Sequence, residues 1–507
     1  MVTGAATHGI WHATAHPRSH PALHGDHRAD VVVVGAGITG LTTALLLART
    51  GVDVVVVEAL RVASGVTGRT TAKVTSQHTL LYSQIASKHS EDTARVYAEA
   101  NQAAVEQVAE LVDAGDIDCA FERRPAYTYT RDASYLSKVN NEAELCRRLG
   151  LPASFTTDTD GDLPFDVVAA VRFDNQAQLQ PVAYCDGLAR MLVAADGRIF
   201  EQTRVTGVTG GAPLKVTTER GSIAADAVVL ATHIPFLDRG MFFAKVEPSA
   251  SHGIAVETDG RVPHGMYITA ESPSRSVRSF RHDGRSYLIV VGESHRTGEG
   301  NAAEHERALI DWASRHWRGT RIAHTWMAQD YTPQDSVPYI GRLTRRSGPI
   351  YVATGFQKWG LSNGTAAALL LSDLAVGQDH PWASVFDANR LTPAASTKAF
   401  VEHNVTAAAH LVGDSFQGTP LSEIDALQPG DGTVVRVGAK QYAVSKGDDG
   451  RITVLSATCT HLGCVVSFNT AERSWDCPCH GSRFAADGTV LHGPAVNPLE
   501  RQSLPGP

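Results

Sequence analysis

Behind Asp30 the chain runs Val31-Val32-Val33-Val34 with no polar alternation, the pattern of a strand covered on both faces. A glycine-rich stretch, Gly35 to Gly40, follows, then a helix-forming stretch from Leu41 to Thr50 and a second apolar strand, Val52 to Val57, that ends at Glu58. Strand, glycine turn, helix and strand compose a βαβ unit and predict an α/β fold. Farther on, regular apolar spacing predicts a long helix over Ser90 to Ala114, and residues from about Ser251 to Asp330 read as β-rich. A helix is expected from near Asn363 through Ala366 to Leu374. From about Gly377 to Gln417 the pattern loosens, with one candidate helix at Thr397 to Leu411, and short strands at Val434 to Val437 and Gln441 to Ser445 open a C-terminal all-β region.

A length of 507 residues fits about three domains. Net charge of −8 with 19% charged residues leaves no basic field, which argues against nucleic-acid binding. The first residues lack a charged-then-apolar leader and no apolar run reaches bilayer length, so the expectation is a cytoplasmic chain without a membrane span. His8, His12, His16, His20, His24 and His27 are mostly four apart, a spacing that would stack a metal-binding face on a helix. Pro17 and Pro21 interrupt such a helix, and a surface arm is expected instead. Four of the seven cysteines fall in one late segment, and Cys119, Cys146 and Cys185 read as buried small hydrophobes.

The glycine turn has a chemical reading. Glycines allow a backbone to approach a pyrophosphate, a helix N-terminus supplies a favourable field, and an acidic residue at the next strand end takes a ribose. Gly35, Gly37, Gly40 and Glu58 fit those roles, with Ile38, Thr39 and Ala59 beside them. The turn alone does not separate FAD from NAD. A second strand–glycine-turn–helix for a pyridine nucleotide is not found, which argues against a reductase fed by NAD(P)H.

The late segment reads Cys459-Thr460-His461-Leu462-Gly463-Cys464 and, twelve residues on, Cys477-Pro478-Cys479-His480-Gly481-Ser482. This two-box pattern resembles the Rieske iron–sulfur domains, in which two thiolates hold one iron and two imidazoles the other. The resemblance implies Cys459, His461, Cys477 and His480 as ligands of one [2Fe–2S] cluster. It is narrower still to the cytochrome bc type, which implies a disulfide between Cys464 and Cys479. A zinc cage also uses Cys and His at short spacing, but would leave Cys464 and Cys479 unexplained. A Rieske oxygenase would need a mononuclear iron site and boxes without the extra cysteines. Ser482 stands where high-potential relatives place a serine donor, and Phe484 where they carry a tyrosine donor. With one donor missing, the expected potential lies in the lower or middle part of roughly −150 to +300 mV. Gly493-Pro494-Ala495 is similar to the loop that covers the cluster in these domains.

Two further segments recur in flavoproteins: Gly221 to Thr232, and Tyr351 to Phe356 running into Gly360-Leu361-Ser362-Asn363-Gly364. With the glycine turn they resemble the FAD-dependent oxidoreductases of the D-amino-acid oxidase, glycine oxidase and sarcosine oxidase family over roughly residues 30 to 380. Joined to the second resemblance, the chain is similar to a bacterial subgroup of fused FAD/Rieske oxidoreductases. The resemblance implies that Val205 meets adenine, that Ala231, Thr232 and Gly355 approach the cofactor, and that Gly360, Leu361, Ser362 and Asn363 face the flavin. In the loop after Glu58 it implies Arg61, Thr67, Arg69, Thr70 and Lys73 as cofactor contacts. That loop has no histidine and the last segment no cysteine, so FAD is expected to be non-covalent. Arg275, Arg278 and Lys358 are the candidates for the substrate's anionic end or for catalysis.

The expected architecture is therefore an α/β FAD-binding Rossmann-like domain with a discontinuous α+β substrate domain and a C-terminal all-β Rieske domain. The boundaries are 1–29 for an N-terminal arm, 30–90, 165–240 and 335–380 for FAD binding, 91–164 and 241–334 for the substrate domain, 381–417 for a linker and 418–507 for the Rieske domain. The expected activity is oxidation of a small amine or amino acid with electrons relayed through the cluster to an external acceptor protein. The alternatives are reverse flow from a donor protein through the cluster to FAD, and a redox sensor or electron carrier without turnover.

Overall fold

The computed structural model describes residues 9–159, 161–317, 321–391, 404–405 and 419–504. The candidate helix Thr397–Leu411 and His8 therefore lie, apart from Asn404 and Val405, outside the described residues.

The valine run becomes the centre of the first sheet. His27–Val34 pairs in parallel with Val54–Val57 on one side and Gly221–Leu230 on the other, and Ile350–Thr354 extends the parallel set. Helices cover one face, over Val31, Val33, Val54 and Val56, and the hairpin of Val205–Gly210 and Leu214–Thr218 covers the other, over Val32, Val34, Val55 and Val57, which is why both valine runs are buried throughout. Ile38–Arg49 starts three residues earlier than its pattern predicts, directly at Gly37.

A second, mixed sheet stands beside the first, its strands ordered Arg321–Pro333, Val246–Thr258, Arg285–Arg296, Ser276–His282, Met266–Thr269, Glu122–Thr130, Ala169–Gln178 and Lys73–Val74. Two expected boundaries change. Ala169–Gln178 and Lys73–Val74 pair with each other in this second sheet and not in the dinucleotide sheet. The helix Glu91–Gly115, capped by Ser90 Oγ on Thr93 N, packs on the last flavin-segment helix, Gly360–Ala375, with Tyr97 accepting from Asn363, and so supports the FAD domain from behind.

The N-terminal arm is corrected as well. Ile10 and Trp11 are fully buried, and the Trp11 indole donates to Thr70 O at 2.7 Å while its ring packs on Phe280 and the Arg278 guanidinium. Burial of a tryptophan, not a surface excursion, fixes this segment.

The C-terminal region is all β. A three-stranded sheet, Gly432–Val437, Lys440–Lys446 and Ile452–Ser456, faces a four-stranded one, Ser467–Asn469, Ser474–Asp476, Arg483–Ala485 and Val490–His492. Trp475 and Phe484 fill the core between them with all four box cysteines.

Candidate active site

The glycine turn lies at the C-terminal end of the central strand, where open parallel sheets bind ligands. Gly35 has φ of +107°, and a Cβ there would lie 2.5 Å from Ala231 O. A Cβ on Gly40 would lie 1.9 Å from Gly35 O. Turn, strand end and helix start thus meet backbone to backbone, and Ile38 N, the first amide of the helix, donates to Thr67 Oγ1 at 3.2 Å, which ties the helix start to the loop after Glu58. Glu58 closes the next strand with both oxygens in use, accepting from Ala36 N and Leu60 N at 2.8 Å each. Burial pushes its carboxyl up, against those two amides and Arg204.

A cavity of about 570 Å³ opens from this turn, within the ordinary size of a cofactor site. Gly35, Gly37, Ile38, Thr39, Glu58 and Ala59 line one end of it. Thr67, Arg69, Thr70 and Lys73 come from the following loop, Val205, Ala231 and Thr232 from the central strands' ends, and Gly360, Leu361 and Lys358 from the last segment. These residues fit a dinucleotide: a glycine cradle that a Cβ would fill, a helix start that lines the cavity and a carboxylate at the second strand's end.

Several expected contacts fall elsewhere. Gly40 and Gly355 stand behind the wall, Gly355 at φ +81° with Pro333 where its Cβ would be. Arg61 turns outward toward Glu201 at 3.6 Å. The last helix begins at Gly360 and not near Asn363, so the side chains of Ser362 and Asn363 turn inward. Ser362 Oγ meets His78 Nε2 at 3.0 Å, and Asn363 donates to the Tyr97 hydroxyl and Phe356 O. Both arginine candidates are corrected. Arg278 is 1% exposed and donates to three carbonyls, Thr71 O, Leu179 O and Ser279 O, which makes it a brace within the second sheet, tying Ser276–His282 to the ends of Ala169–Gln178 and Lys73–Val74. Arg275 forms a bidentate pair with Glu293, at 3.0 and 2.6 Å, and packs over Trp312, outside the cavity.

In the C-terminal domain Cys464 and Cys479 are joined in a disulfide, and Cys459 and Cys477 are free and buried. Cys464, Cys477 and Cys479 sulfurs lie within 4.8 Å of one another, yet the disulfide takes two of them, so Cys459 and Cys477 are the box thiols free to hold a metal. The hydrogen bond with Cys477 holds the Cys459 thiol down, and the Ser482 hydroxyl acts on it in the same sense. The two imidazoles, His461 and His480, stand edge to face at 5.0 Å. His461 Nδ1 is buried without a protein partner, while its Nε2–H donates to Asp238 Oδ1 at 2.9 Å. An orphaned imidazole nitrogen beside two thiols suits a metal; two thiols and two imidazoles with the Cys464–Cys479 disulfide next to them suit a Rieske [2Fe–2S] centre, since a closed zinc cage would leave that disulfide unexplained. Phe484 is fully buried in the same core. Phe484→Tyr is expected to supply the missing donor and raise the potential by on the order of 60 mV, one tenfold step for a one-electron couple; an EPR-monitored titration reads it.

The two sites share a wall. Leu491, His492, Gly493, Ala495 and Val496 of the C-terminal domain line the same cavity as the glycine turn. Tyr331 OH donates to His480 O at 3.2 Å, and Gln329 Nε2 donates to Gly481 O at 2.8 Å. Gly481 has no room for a side chain, since a Cβ would lie 2.6 Å from Gln329 Nε2 and 2.8 Å from the Tyr331 hydroxyl. Phe243 packs on both box imidazoles, His461 and His480, at 5.4 and 4.8 Å. Glu472 reaches back to accept from Met327 N and from Arg69, at 2.9 and 2.6 Å. Sequence reasoning missed Gln329, Asp330, Tyr331, His233, Glu472 and His492, which carry no motif and meet only through domain docking. Among the described residues no helix is long and apolar enough to cross a membrane.

Comparison with known proteins agrees with both halves. The family model for FAD dependent oxidoreductases, DAO, matches residues 30–374, and that for the Rieske [2Fe-2S] domain matches residues 418–503. The chain is 34% identical over 497 residues to YhfW of Bacillus subtilis, described as a Rieske 2Fe-2S iron-sulfur protein, with 97% of each chain covered. It is 24% identical to the gamma-glutamylputrescine oxidoreductase of Escherichia coli over 69% of this chain and 84% of that one. The fold is similar to glycine oxidase from Geobacillus kaustophilus, with a TM-score of 0.60, 18% identity, and 72% of this chain and 99% of that chain covered. The chain belongs to the DAO family of FAD-dependent oxidoreductases, with FAD as its organic cofactor, and carries after that domain a Rieske domain for one [2Fe–2S] cluster.

Proposed function

We propose that the chain oxidises the carbon–nitrogen bond of a small amine or amino acid by hydride transfer to FAD, and passes the electrons singly through its Rieske cluster to an external acceptor protein. When bound, FAD supplies the acceptor for an electron pair and the cluster a carrier of single electrons. The observation that carries the reading is the shared cavity wall, with Tyr331 hydrogen-bonded at once to the flavin segment and to a cluster ligand. Gln357 N donates to Tyr331 O at 3.2 Å, and the Tyr331 hydroxyl reaches His480 O. The similar proteins named for glycine and gamma-glutamylputrescine both point to amine chemistry.

With Arg275 and Arg278 engaged elsewhere, and the cavity's Arg69, Arg204 and Arg483 bonded to Glu472, Val490 O and Asp476, Lys73 and Lys358 are the cavity cations we assign to a substrate's anionic end. Lys73 Nζ donates to Tyr267 O at 3.2 Å and lies 5.9 Å from the Trp359 ring, and Lys358 Nζ donates to Ser294 Oγ at 2.6 Å. Burial, with the Arg278 guanidinium adding to it, pushes Lys73 down to about 7. Lys73 is then charged below pH 7 and neutral above, so half-saturation for an anionic substrate is expected to rise as pH increases through 7. Lys73→Met is expected to raise it about 10- to 100-fold at low pH and to erase the step, as loss of a charged hydrogen bond requires. Flavin absorbance during anaerobic titration measures both.

The relay itself is tested by anaerobic addition of a panel of amines and amino acids. A true substrate bleaches the flavin and brings up the EPR signal of the reduced cluster; bleaching while the cluster stays oxidised refutes the relay.

A further inference from the structure

Between the flavin cavity and the Rieske domain three titratable side chains form a line. His233 Nε2 faces Asp330 Oδ1 at 2.9 Å, His233 Nδ1 faces His492 Nε2 at 3.0 Å, and His492 Nδ1 faces Gly493 O at 2.9 Å. Asp330 and His233 belong to the FAD-domain side, His492 to the Rieske sheet, and all three line the cavity. His233 is held in the left-handed region, at φ +68°, with its carbonyl accepting from Thr354 Oγ1. Such a backbone conformation costs energy for any residue but glycine, and here it aims the ring across the domain boundary.

Counting protons along the line fixes its charge. A carbonyl only accepts, so His492 Nδ1 carries a proton. Asp330 already accepts from two amides, Tyr331 N and Lys358 N, which suits a carboxylate, so the proton facing it belongs to His233 Nε2. The middle contact needs a third. Three protons on four ring nitrogens make one imidazolium and one neutral ring, balanced by one carboxylate. Burial, with His233, Arg483 and Arg204 adding to it, pushes His492 down to about 3. With one proton fewer, one of the three contacts sets two bare acceptors face to face.

We propose that Asp330, His233 and His492 form a proton-storing chain that takes up one proton when the neighbouring cluster takes up one electron, and releases it when the electron leaves. The chemistry of the relay calls for such a store. Oxidising a two-electron-reduced flavin frees protons as well as electrons, while the cluster accepts an electron alone. With both groups bound, each electron that the flavin gave up to the cluster would leave one proton for Asp330, His233 and His492 to hold, and the chain would return it to water when the external acceptor took the electron. Tyr331 links the two carriers: its ring packs 4.9 Å from His233 and 5.9 Å from His492, and its hydroxyl donates to the carbonyl of the ligand His480. The charged and titratable groups around the chain are Asp330 and Tyr331 from Arg321–Pro333, Lys358 from the flavin segment, Arg483 from the Rieske sheet and Arg204 from the loop before Val205, whose guanidinium donates to Val490 O.

The inference rests on the relay reading, but its test isolates the cluster. The cluster's potential is titrated by EPR in the holoenzyme between about pH 5 and 8. One proton per electron makes the wild-type potential fall with rising pH by up to about 59 mV per unit. His492→Gln and Asp330→Asn, each checked for cluster content, are expected to flatten that fall; His233→Gln, which leaves the Rieske sequence untouched, carries the test where the other two lose their cluster. A flat wild-type profile overturns the proposal. So does a slope that persists in the variants, because it then belongs to the cluster's own imidazoles. Flavin bleaching without cluster reduction would sink the relay and leave these slopes unchanged, so the two failures are distinct.

Discussion

Gly40→Ala is expected to yield a protein that holds its Rieske cluster and lacks flavin. The added Cβ would lie 1.9 Å from Gly35 O and 3.1 Å from Gly35 C, both backbone atoms. Gly35 cannot retreat, because Gly35 N donates to Val57 O at 2.8 Å and its own Cα already faces Ala231 O. The helix Ile38–Arg49 has to lift off the sheet, and its buried face of Leu41, Leu45 and Leu47 resists that. Overpacking of this kind costs about 1–3 kcal/mol, which a two-sheet core of this size tolerates, so the chain still folds. The cradle for the pyrophosphate does not survive the shift. Flavin per mole of protein should drop by at least an order of magnitude while iron stays at two per chain, counted in one sample by absorbance and iron assay. Stoichiometric flavin in the variant would mean that the glycine turn is not the cofactor's anchor.

How far the sequence revealed this molecule depends on whether the signal was local. The valine strands, the glycine turn with Glu58, and the two cysteine–histidine boxes are each contiguous, and each constrains its own backbone within a few residues. They read correctly because periodicity and spacing are properties of short windows. Arg278 shows where that stops. Ser276–His282 is buried over most of its length, so an arginine there fits a substrate pocket or a brace equally well, and two distant carbonyls, Thr71 O and Leu179 O, decide for the brace. The arm is similar: Trp11 gave no sign of the pocket made for it by Thr70, Arg278 and Phe280. Asp330, His233 and His492 are separated by 97 positions and more, and only the docking of one domain on another brings them into line.

Glu472→Ala is expected to uncouple the two cofactor sites without removing either. Glu472 sits in the Rieske turn that Asn469 Oδ1 caps through Ala471 N and Glu472 N, so its carboxylate is aimed before the domains meet. Across the boundary it accepts from Met327 N and Arg69, and Arg483 of its own domain stands at 3.8 Å. Its side chain is 10% exposed and that of Arg69 is 34%, so on truncation Arg69 rehydrates while Met327 N is left without its acceptor. Removing one partner of a buried pair costs about 3–5 kcal/mol, and partial exposure of Arg69 places this one near the lower bound. About 3 kcal/mol shifts a docked–undocked equilibrium roughly 100-fold. Stopped-flow reduction by substrate should then show flavin bleaching that runs ahead of the cluster signal, with the second phase slowed by up to that factor. Glu472→Gln keeps an acceptor for Met327 N and loses only the charge, so its lag should be shorter. Equal lags in the two variants would place the effect in the ion pair alone, and no lag in either would show that docking at this turn does not control the transfer.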